Sequence, residues 1–218
     1  MSATGPHAGQ PVIAAGRPLT ESRTVLIMVH GRNASPQSIL ELCDVLDRPA
    51  FTYLAPAAAG NAWYPYSFME DTAKNEPFLT SALSVLEQLT GDVVAAGIMR
   101  ENVVLLGFSQ GACLAGEFSV RHAARYGGVI MYSGGLIGPA GTTWNERGSL
   151  DGTPVFLGCS DVDAHVPVKR LHESTSVFRR MGAEVTERIY PGMAHTVNAD
   201  EIRFTQALMD QVLTRASA

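Results

Sequence analysis

Cysteine and positive charge are scarce in this chain of 218 residues, and long apolar runs are missing. The three cysteines, Cys43, Cys113 and Cys159, lie in apolar surroundings and are too few for a disulfide framework or a zinc site. They indicate buried thiols in a reducing compartment. A net charge of −5 argues against a nucleic-acid partner or an anionic membrane surface. No apolar run approaches the roughly 20 residues of a membrane helix, and the first residues lack the pattern of a secretory signal. We therefore predict a cytoplasmic protein without nucleic-acid or membrane partners.

The overall amino-acid composition is that of a folded domain. Hydrophobic residues make up 46% of the chain and charged residues 17%, which excludes a disordered chain. The length suits one domain with a sizeable core. Residues 1–9 are small and polar, so we predict a flexible N-terminus followed by a single domain over residues 10–218.

Short apolar runs alternate with segments of helical period along the chain. This alternation predicts an α/β fold with a mostly parallel sheet that carries helices on both faces. In such sheets chemistry gathers outside the carboxyl ends of the strands. The predicted strands are 11–15, 24–29, 51–56, 102–106, 129–132, 155–159 and 185–190. The predicted helices begin at Ser35, Glu76, Gln110, Val168 and Asn198, and the one from Gln110 is expected to end near residues 126–128.

A Gly-x-Ser-x-Gly pattern follows the strand at 102–106 and precedes a small-residue helix. In this pattern a sharp turn lifts the hydroxyl of Ser109 above the sheet edge, and Gly107 and Gly111 avoid collisions with the neighbouring strand and helix. The following helix aims free N–H groups at whatever the serine attacks. Ser109 is therefore our candidate nucleophile, whereas an ordinary surface serine in a strand-to-helix connection is the alternative.

A serine hydroxyl needs a base at neutral pH. In folds that use such an elbow the acid follows the serine and the base follows the acid. His195 lies after the last strand, so we predict that it is the base. Asp161 and Asp163 both follow the strand at 155–159; we favour Asp163 as the acid, because it lies at the tip of the crossing, and expect Asp161 to cap the turn. His165 is either a wall of the pocket or a structural residue of that turn.

The oxyanion formed during attack needs two N–H donors. The residue after the nucleophile, Gln110, supplies one of them, and the loop after an early strand supplies the other. His30-Gly31-Arg32 is that loop, and the N–H of Arg32 is our second donor.

Together these residues resemble the phospholipase/carboxylesterase family of α/β-hydrolases. The resemblance spans roughly residues 10 to 216, and its motifs are His30-Gly31-Arg32, Gly107-Phe108-Ser109-Gln110-Gly111, Asp163-x-x-Val166-Pro167 and Pro191-Gly192-Met193-Ala194-His195. It implies an α/β-hydrolase fold with no separate cap domain and an ester hydrolase that works through an acyl-enzyme. It also implies that no metal or organic cofactor is required.

The substrate is expected to be a small carboxylic ester, either short-chain or aromatic. We predict Trp63, Tyr64, His165 and Met193 as substrate contacts; core packing is the alternative for the aromatic residues between 63 and 68. The closest rival function is a thioesterase or lysophospholipase acting on longer acyl chains. A binding module without catalysis is a remote rival. The sequence leaves monomer and homodimer equally open.

Overall fold

The computed structural model describes residues 4–144 and 147–217. Seven strands form one sheet in the order β1-β3-β2-β4-β5-β6-β7. Strand β1 runs antiparallel to β3, and the other neighbours are parallel. The strands are β1 Val12–Gly16, β2 Val25–Val29, β3 Thr52–Pro56, β4 Val103–Phe108, β5 Gly128–Tyr132, β6 Pro154–Ser160 and β7 Glu184–Tyr190.

Helices cover both faces of the sheet, as predicted. One face packs against α3, α4 and α5, and the other packs against α1, α2 and α6. Along β4 the side chain of Leu105 points to the first face and that of Leu106 to the second, the two-residue period of a strand buried on both sides. The helices are α1 Pro36–Leu40, α2 Leu42–Leu46, α3 Phe78–Ala95, α4 Gln110–Arg121, α5 Val168–Arg180 and α6 Ala199–Ala216.

Two helix boundaries differ from the sequence-based expectation. The helix predicted from Ser35 is split at Glu41 into α1 and α2. Helix α4 ends at Arg121, although we expected it to continue to about Tyr126. The N–H of Tyr126 donates instead to Thr153 Oγ1 at 2.9 Å, so the chain has left the helix by that residue.

The described part of the segment 1–9, for which we predicted a flexible N-terminus, contacts the rest of the protein through His7. His7 is only 1% exposed. Its backbone N–H donates to Ser81 Oγ at 2.9 Å, and its ring Nε2 lies 2.9 Å from the carbonyl oxygen of Trp63. These bonds tie the N-terminal segment to α3 and to the loop after β3.

The two long excursions of the chain begin at the carboxyl ends of β3 and β5. One joins β3 to α3 and carries the aromatic residues between 63 and 68. The other joins β5 to β6, and its described residues 133–144 and 147–153 contain no helix or strand. No capping domain is therefore inserted in the part of this excursion that the structure describes.

Candidate active site

A strained turn joins β4 to α4 and holds Ser109 above the sheet. The backbone of Ser109 has φ 56° and ψ −120°, a combination that non-glycine residues rarely adopt. A Cβ added at Gly111 would lie 2.1 Å from the carbonyl oxygen of Val29, and one added at Gly107 would lie 2.3 Å from the carbonyl carbon of Gly111. Only glycine fits at either position, which explains both glycines of the motif.

The three residues predicted as nucleophile, base and acid lie in hydrogen-bond contact. Ser109 Oγ is 2.9 Å from His195 Nε2, and His195 Nδ1 is 2.6 Å from Asp163 Oδ2. An ionised Asp163 accepts the Nδ1–H of His195, which leaves Nε2 free to accept the proton of Ser109. The three side chains come from the loops after β4, β6 and β7, which are parallel strands of one sheet, so their carboxyl ends lie at the same edge.

Asp163 is held as a buried carboxylate. Its side chain is 0% exposed, and its Oδ1 accepts the backbone N–H groups of His165 at 2.8 Å and Val166 at 3.1 Å. Burial alone would raise the pKa of Asp163, but the hydrogen bonds from His195 and from the two backbone N–H groups outweigh it and lower the pKa below its ordinary value. The carboxyl group therefore stays charged and can stabilise a positive imidazolium.

Asp161, the alternative acid, faces elsewhere. Its Oδ1 accepts the backbone N–H of Gly192 at 2.7 Å. Asp161 thus caps the loop that carries His195, whereas we expected it to cap its own turn.

The turn after β2 lies against the serine. A Cβ added at Gly31 would lie 3.5 Å from Ser109 Cβ. The backbone N–H groups of Arg32 and Gln110, predicted to bind an oxyanion, belong to residues that line the same pocket as Ser109. Neither N–H donates a hydrogen bond to another group within residues 4–144 and 147–217. Both are available to a ligand.

A pocket of about 470 Å³ opens beside Ser109 and His195. This volume is in the range of small-molecule sites. Tyr64 and His165, both predicted as substrate contacts, line it. The remaining lining residues are Gly31, Arg32, Asn33, Ala34, Pro65, Tyr66, Ser67, Phe68, Phe108, Gln110, Cys113 and Val166.

Trp63 and Met193, also predicted as substrate contacts, do not line this pocket. Trp63 is 0% exposed and donates its indole N–H to the carbonyl oxygen of His30 at 2.9 Å. Its ring lies 5.0 Å from the His30 ring and 5.5 Å from the His7 ring, measured between centroids. The Met193 sulfur accepts the side-chain N–H of Asn198 at 3.0 Å. Both side chains are held in structural contacts beside the site.

Two buried imidazole rings, those of His7 and His30, lie next to the indole of Trp63. His7 Nδ1 accepts the N–H of Ala59 at 3.0 Å, and His30 Nε2 accepts the N–H of Ala58 at 3.2 Å. Each ring donates its other N–H to a backbone carbonyl. Burial lowers the pKa of both His7 and His30, because the charged imidazolium would lose its hydration. Both are therefore neutral structural histidines.

Two side chains of this site have roles that the sequence reasoning missed. The Gln110 side chain accepts the N–H of Trp63 and donates to the carbonyl oxygen of Tyr64, both at 2.8 Å. The Arg32 guanidinium donates to the carbonyl oxygens of Pro65 at 2.8 Å and Tyr66 at 2.6 Å. The side chains of Arg32 and Gln110, whose backbone N–H groups are the expected oxyanion donors, thus also hold residues 63–66, of which Tyr64, Pro65 and Tyr66 form a wall of the pocket. A glutamine inside the serine motif was the signal available for the first of these roles.

Other kinds of site find no support in the described residues. They contain no group of three or more His, Cys, Asp or Glu side chains that could hold a metal ion. Among the helices over 4–144 and 147–217, none is long and apolar enough to cross a membrane.

Known proteins resemble the chain over most of its length. A family model described as phospholipase/carboxylesterase matches residues 9–213. Acyl-protein thioesterase 1 of Saccharomyces cerevisiae is 31% identical over 125 residues, which are 56% of this chain and 55% of the yeast protein. A probable carboxylesterase of Arabidopsis thaliana, named SOBER1-like, is 22% identical over 90% of this chain and 82% of its own length. The crystal structure of a phospholipase/carboxylesterase from Dyadobacter fermentans DSM 18053 superposes with a TM-score of 0.90 at 38% identity, covering 97% of this chain and 99% of that one.

Proposed function

Because the chain belongs to the phospholipase/carboxylesterase family, we propose that it hydrolyses carboxylic esters with Ser109 as nucleophile, His195 as base and Asp163 as acid. The observation that carries the proposal is the continuous hydrogen-bonded contact from Ser109 Oγ through His195 to Asp163, with distances of 2.9 Å and 2.6 Å. These distances suit proton transfer between neighbouring groups.

The first half of the reaction forms an acyl-enzyme. Ser109 Oγ attacks the ester carbonyl carbon while its proton passes to His195 Nε2. The carbonyl oxygen becomes an oxyanion and accepts the backbone N–H groups of Arg32 and Gln110, each of which stabilises the transition state by about 3 to 4 kcal/mol. The C–O bond to the alcohol then breaks, and His195 Nε2 protonates the leaving oxygen.

The second half releases the acid. A water molecule gives a proton to His195 Nε2 as its oxygen attacks the acyl carbon, and the same two N–H groups accept the second oxyanion. The bond to Ser109 Oγ breaks, and the proton returns from His195 to the serine. Asp163, ionised and buried, stabilises the imidazolium in both halves.

The pocket walls support a short or aromatic substrate. Tyr64, Phe68 and Phe108 line the space next to the serine, and their rings offer flat apolar contacts. A thioester is the second candidate, because the yeast relative is named acyl-protein thioesterase 1. The same steps would expel a thiol in place of an alcohol.

A fluorophosphonate probe tests the nucleophile. We expect the wild-type protein to be labelled at Ser109 and the Ser109→Ala variant to stay unlabelled. Ser67 lines the same pocket, so Ser67→Ala is the matched control and should keep the label. Absence of label on the folded wild-type protein, or label that persists in Ser109→Ala, would refute the proposal.

A series of 4-nitrophenyl esters from acetate to palmitate tests the substrate class, with the thio analogue of each ester beside it. We expect kcat/KM to be highest for short or aromatic acyl groups. A maximum at palmitate, or a large preference for the thio compounds, would favour the second candidate.

The single-domain organisation of residues 10–218, a cytoplasmic location and the choice between monomer and dimer stay predictions from the sequence. The proposed chemistry depends on none of them.

A further inference from the structure

The pocket beside Ser109 contains no acidic lining residue, although the protein is acidic overall. The chain has a net charge of −5. The lining residues of the pocket nevertheless include Arg32, His165 and His195 and neither aspartate nor glutamate. Among these lining residues the fixed charge is therefore positive, that of Arg32.

Within the part of the chain that the structure describes, the charge of Arg32 has no acidic partner. Its two hydrogen bonds go to the uncharged carbonyl oxygens of Pro65 and Tyr66. Over residues 4–144 and 147–217 no carboxylate lies within 4.0 Å of this guanidinium. Other arginines of the chain are paired with acids: Arg48 with Asp210, Arg121 with Glu117, Arg125 with Glu101, Arg170 with Glu173, and Arg188 and Arg203 with Asp200.

The geometry of Arg32 leaves donors free for a ligand. A guanidinium has about five N–H donors in a planar fork that matches a carboxylate. The two bonds to the wall fix the plane of the group without using all of these donors. A side chain that is already held in place loses less conformational entropy when it binds an anion.

The groups near the base also favour an anion over a cation. The His165 ring lies edge-on to the His195 ring with centroids 4.9 Å apart, and it is exposed at the pocket. An imidazole is neutral or positive, so neither ring repels a negative substrate. The acid of the site, Asp163, is 0% exposed and has its oxygens occupied by His195, His165 and Val166.

We infer that the preferred substrates are esters that carry a carboxylate, which binds to the free N–H groups of Arg32 while the ester carbonyl lies at Ser109. This inference rests on the proposed function and names its substrate class. The carboxylate belongs either to the acyl part, as in a half-ester of a dicarboxylic acid, or to the alcohol part. Both arrangements share the same chemistry at Arg32.

Matched pairs of esters test the inference. In the acyl arm, mono-4-nitrophenyl adipate is compared with 4-nitrophenyl 6-methylheptanoate, in which an isopropyl group of similar shape replaces the carboxylate. The adipate spacer limits attack of the carboxylate on its own ester. In the alcohol arm, 4-butyryloxybenzoate is compared with its methyl ester. Rates are corrected for spontaneous hydrolysis, and the quantity of interest is the ratio of kcat/KM for the charged ester to that for the neutral one.

For the wild-type protein we expect a ratio of about ten in at least one arm, the gain typical of a charge-assisted hydrogen bond. Arg32→Gln keeps the backbone N–H and should lower the ratio to about one. Arg32→Lys keeps the charge and should retain most of the preference. The control is Arg23→Gln. Arg23 is an exposed arginine that donates to the carbonyl oxygen of Ala216, and its replacement should leave the ratio unchanged. Salt at about 0.5 M should lower the wild-type ratio severalfold by screening.

Three outcomes would overturn the inference. The first is a wild-type ratio of one or less in both arms. The second is an Arg32→Gln variant whose ratio of kcat/KM equals that of the wild-type protein. The third is an equal loss of activity on charged and neutral esters in both Arg32 variants. That result would mean that Arg32 only holds the wall of the pocket and does not bind the substrate carboxylate. A protein that takes no fluorophosphonate label and cleaves neither ester refutes the proposed function itself, whereas a labelled protein that prefers neutral esters refutes this inference alone.

Discussion

Asp161 accepts a hydrogen bond of 2.7 Å from the backbone N–H of Gly192, and this bond joins the loop that carries Asp163 to the loop that carries His195. Two aspartates that are two residues apart therefore act on the same histidine in different ways. Asp163 contacts the ring of His195, whereas Asp161 holds its loop.

Replacing each aspartate by asparagine should separate these roles. Asp163→Asn removes the negative charge beside His195 Nδ1, and we expect kcat to fall by about 10³ to 10⁴-fold. Asp161→Asn still offers an oxygen to Gly192, so kcat should change by less than about threefold. The measurement is turnover of a 4-nitrophenyl ester together with a check that each variant is folded. A larger loss in Asp161→Asn would mean that the acid is misassigned.

Adding one methyl group at Gly111 should destabilise the protein. Its Cβ would lie 2.1 Å from the carbonyl oxygen of Val29, so β2 or α4 must move. We expect Gly111→Ala to lower the free energy of unfolding by about 3 kcal/mol or more, as overpacking against a rigid backbone does. The control is Gly91→Ala in α3, where a Cβ would meet nothing within 4 Å. Alanine there should add up to about 1 kcal/mol of stability in urea unfolding. Equal stability of the two variants would contradict the packing at the turn.

The Gln110 side chain should support the pocket wall through both of its polar atoms. Gln110→Glu keeps an acceptor for the N–H of Trp63 but places a carboxylate oxygen against the carbonyl oxygen of Tyr64. We expect the free energy of unfolding to fall by about 2 to 3 kcal/mol, because this pair is buried. The control is Gln206→Glu, where a partly exposed amide donates to the carbonyl oxygen of Val45. That change should cost less than about 1 kcal/mol. A similar loss of unfolding free energy in both variants would show that burial of the Gln110 amide does not increase the cost of the substitution.

The two neutral histidines should make the protein sensitive to acid. The pKa of His7 and of His30 is lowered from 6.5, chiefly by burial. Below about pH 6.5 the unfolded chain then binds more protons than the folded one, so the free energy of unfolding falls as the pH falls.

His7→Asn tests this linkage. Asparagine still offers an oxygen near the position of Nδ1 and does not titrate. We expect the variant to lose less stability than the wild-type protein from about pH 7 to about pH 5, with the difference in slope at most about 1.4 kcal/mol per pH unit. Urea unfolding across this range measures both slopes. Parallel curves would show that His7 is not the group that takes up the proton.

The sequence predicted the sheet and its helices well, because each element carries its own signal. Strand β4 is apolar throughout and is buried on both faces, and Ser35 and Asn198 are side-chain caps at the starts of α1 and α6. The family match confirms the predicted α/β-hydrolase fold. The order of Ser109, Asp163 and His195 along the chain was enough to anticipate their convergence at one edge of the sheet.

The residues around the site were harder to predict, because their roles depend on contacts between distant loops. Trp63 lies in a segment without any period, and nothing in its local sequence reveals that the rings of His7 and His30 lie next to its indole. Tyr64 lines the pocket, whereas Trp63, for which the same reasoning predicted a substrate contact, does not. The hydrogen bonds of the Arg32 and Gln110 side chains join residues more than 30 positions apart in the sequence, and no local pattern predicts such pairs.

His7 bears on how the protein is handled in the laboratory. The family match begins at residue 9. A domain boundary drawn from this match would delete His7, whose ring is hydrogen-bonded to Trp63 and Ala59 in the loop next to the pocket. A protein cut at that boundary should therefore differ from the uncut chain in substrate preference, because the segment that carries Tyr64 loses the hydrogen bonds of His7 to Trp63 and Ala59.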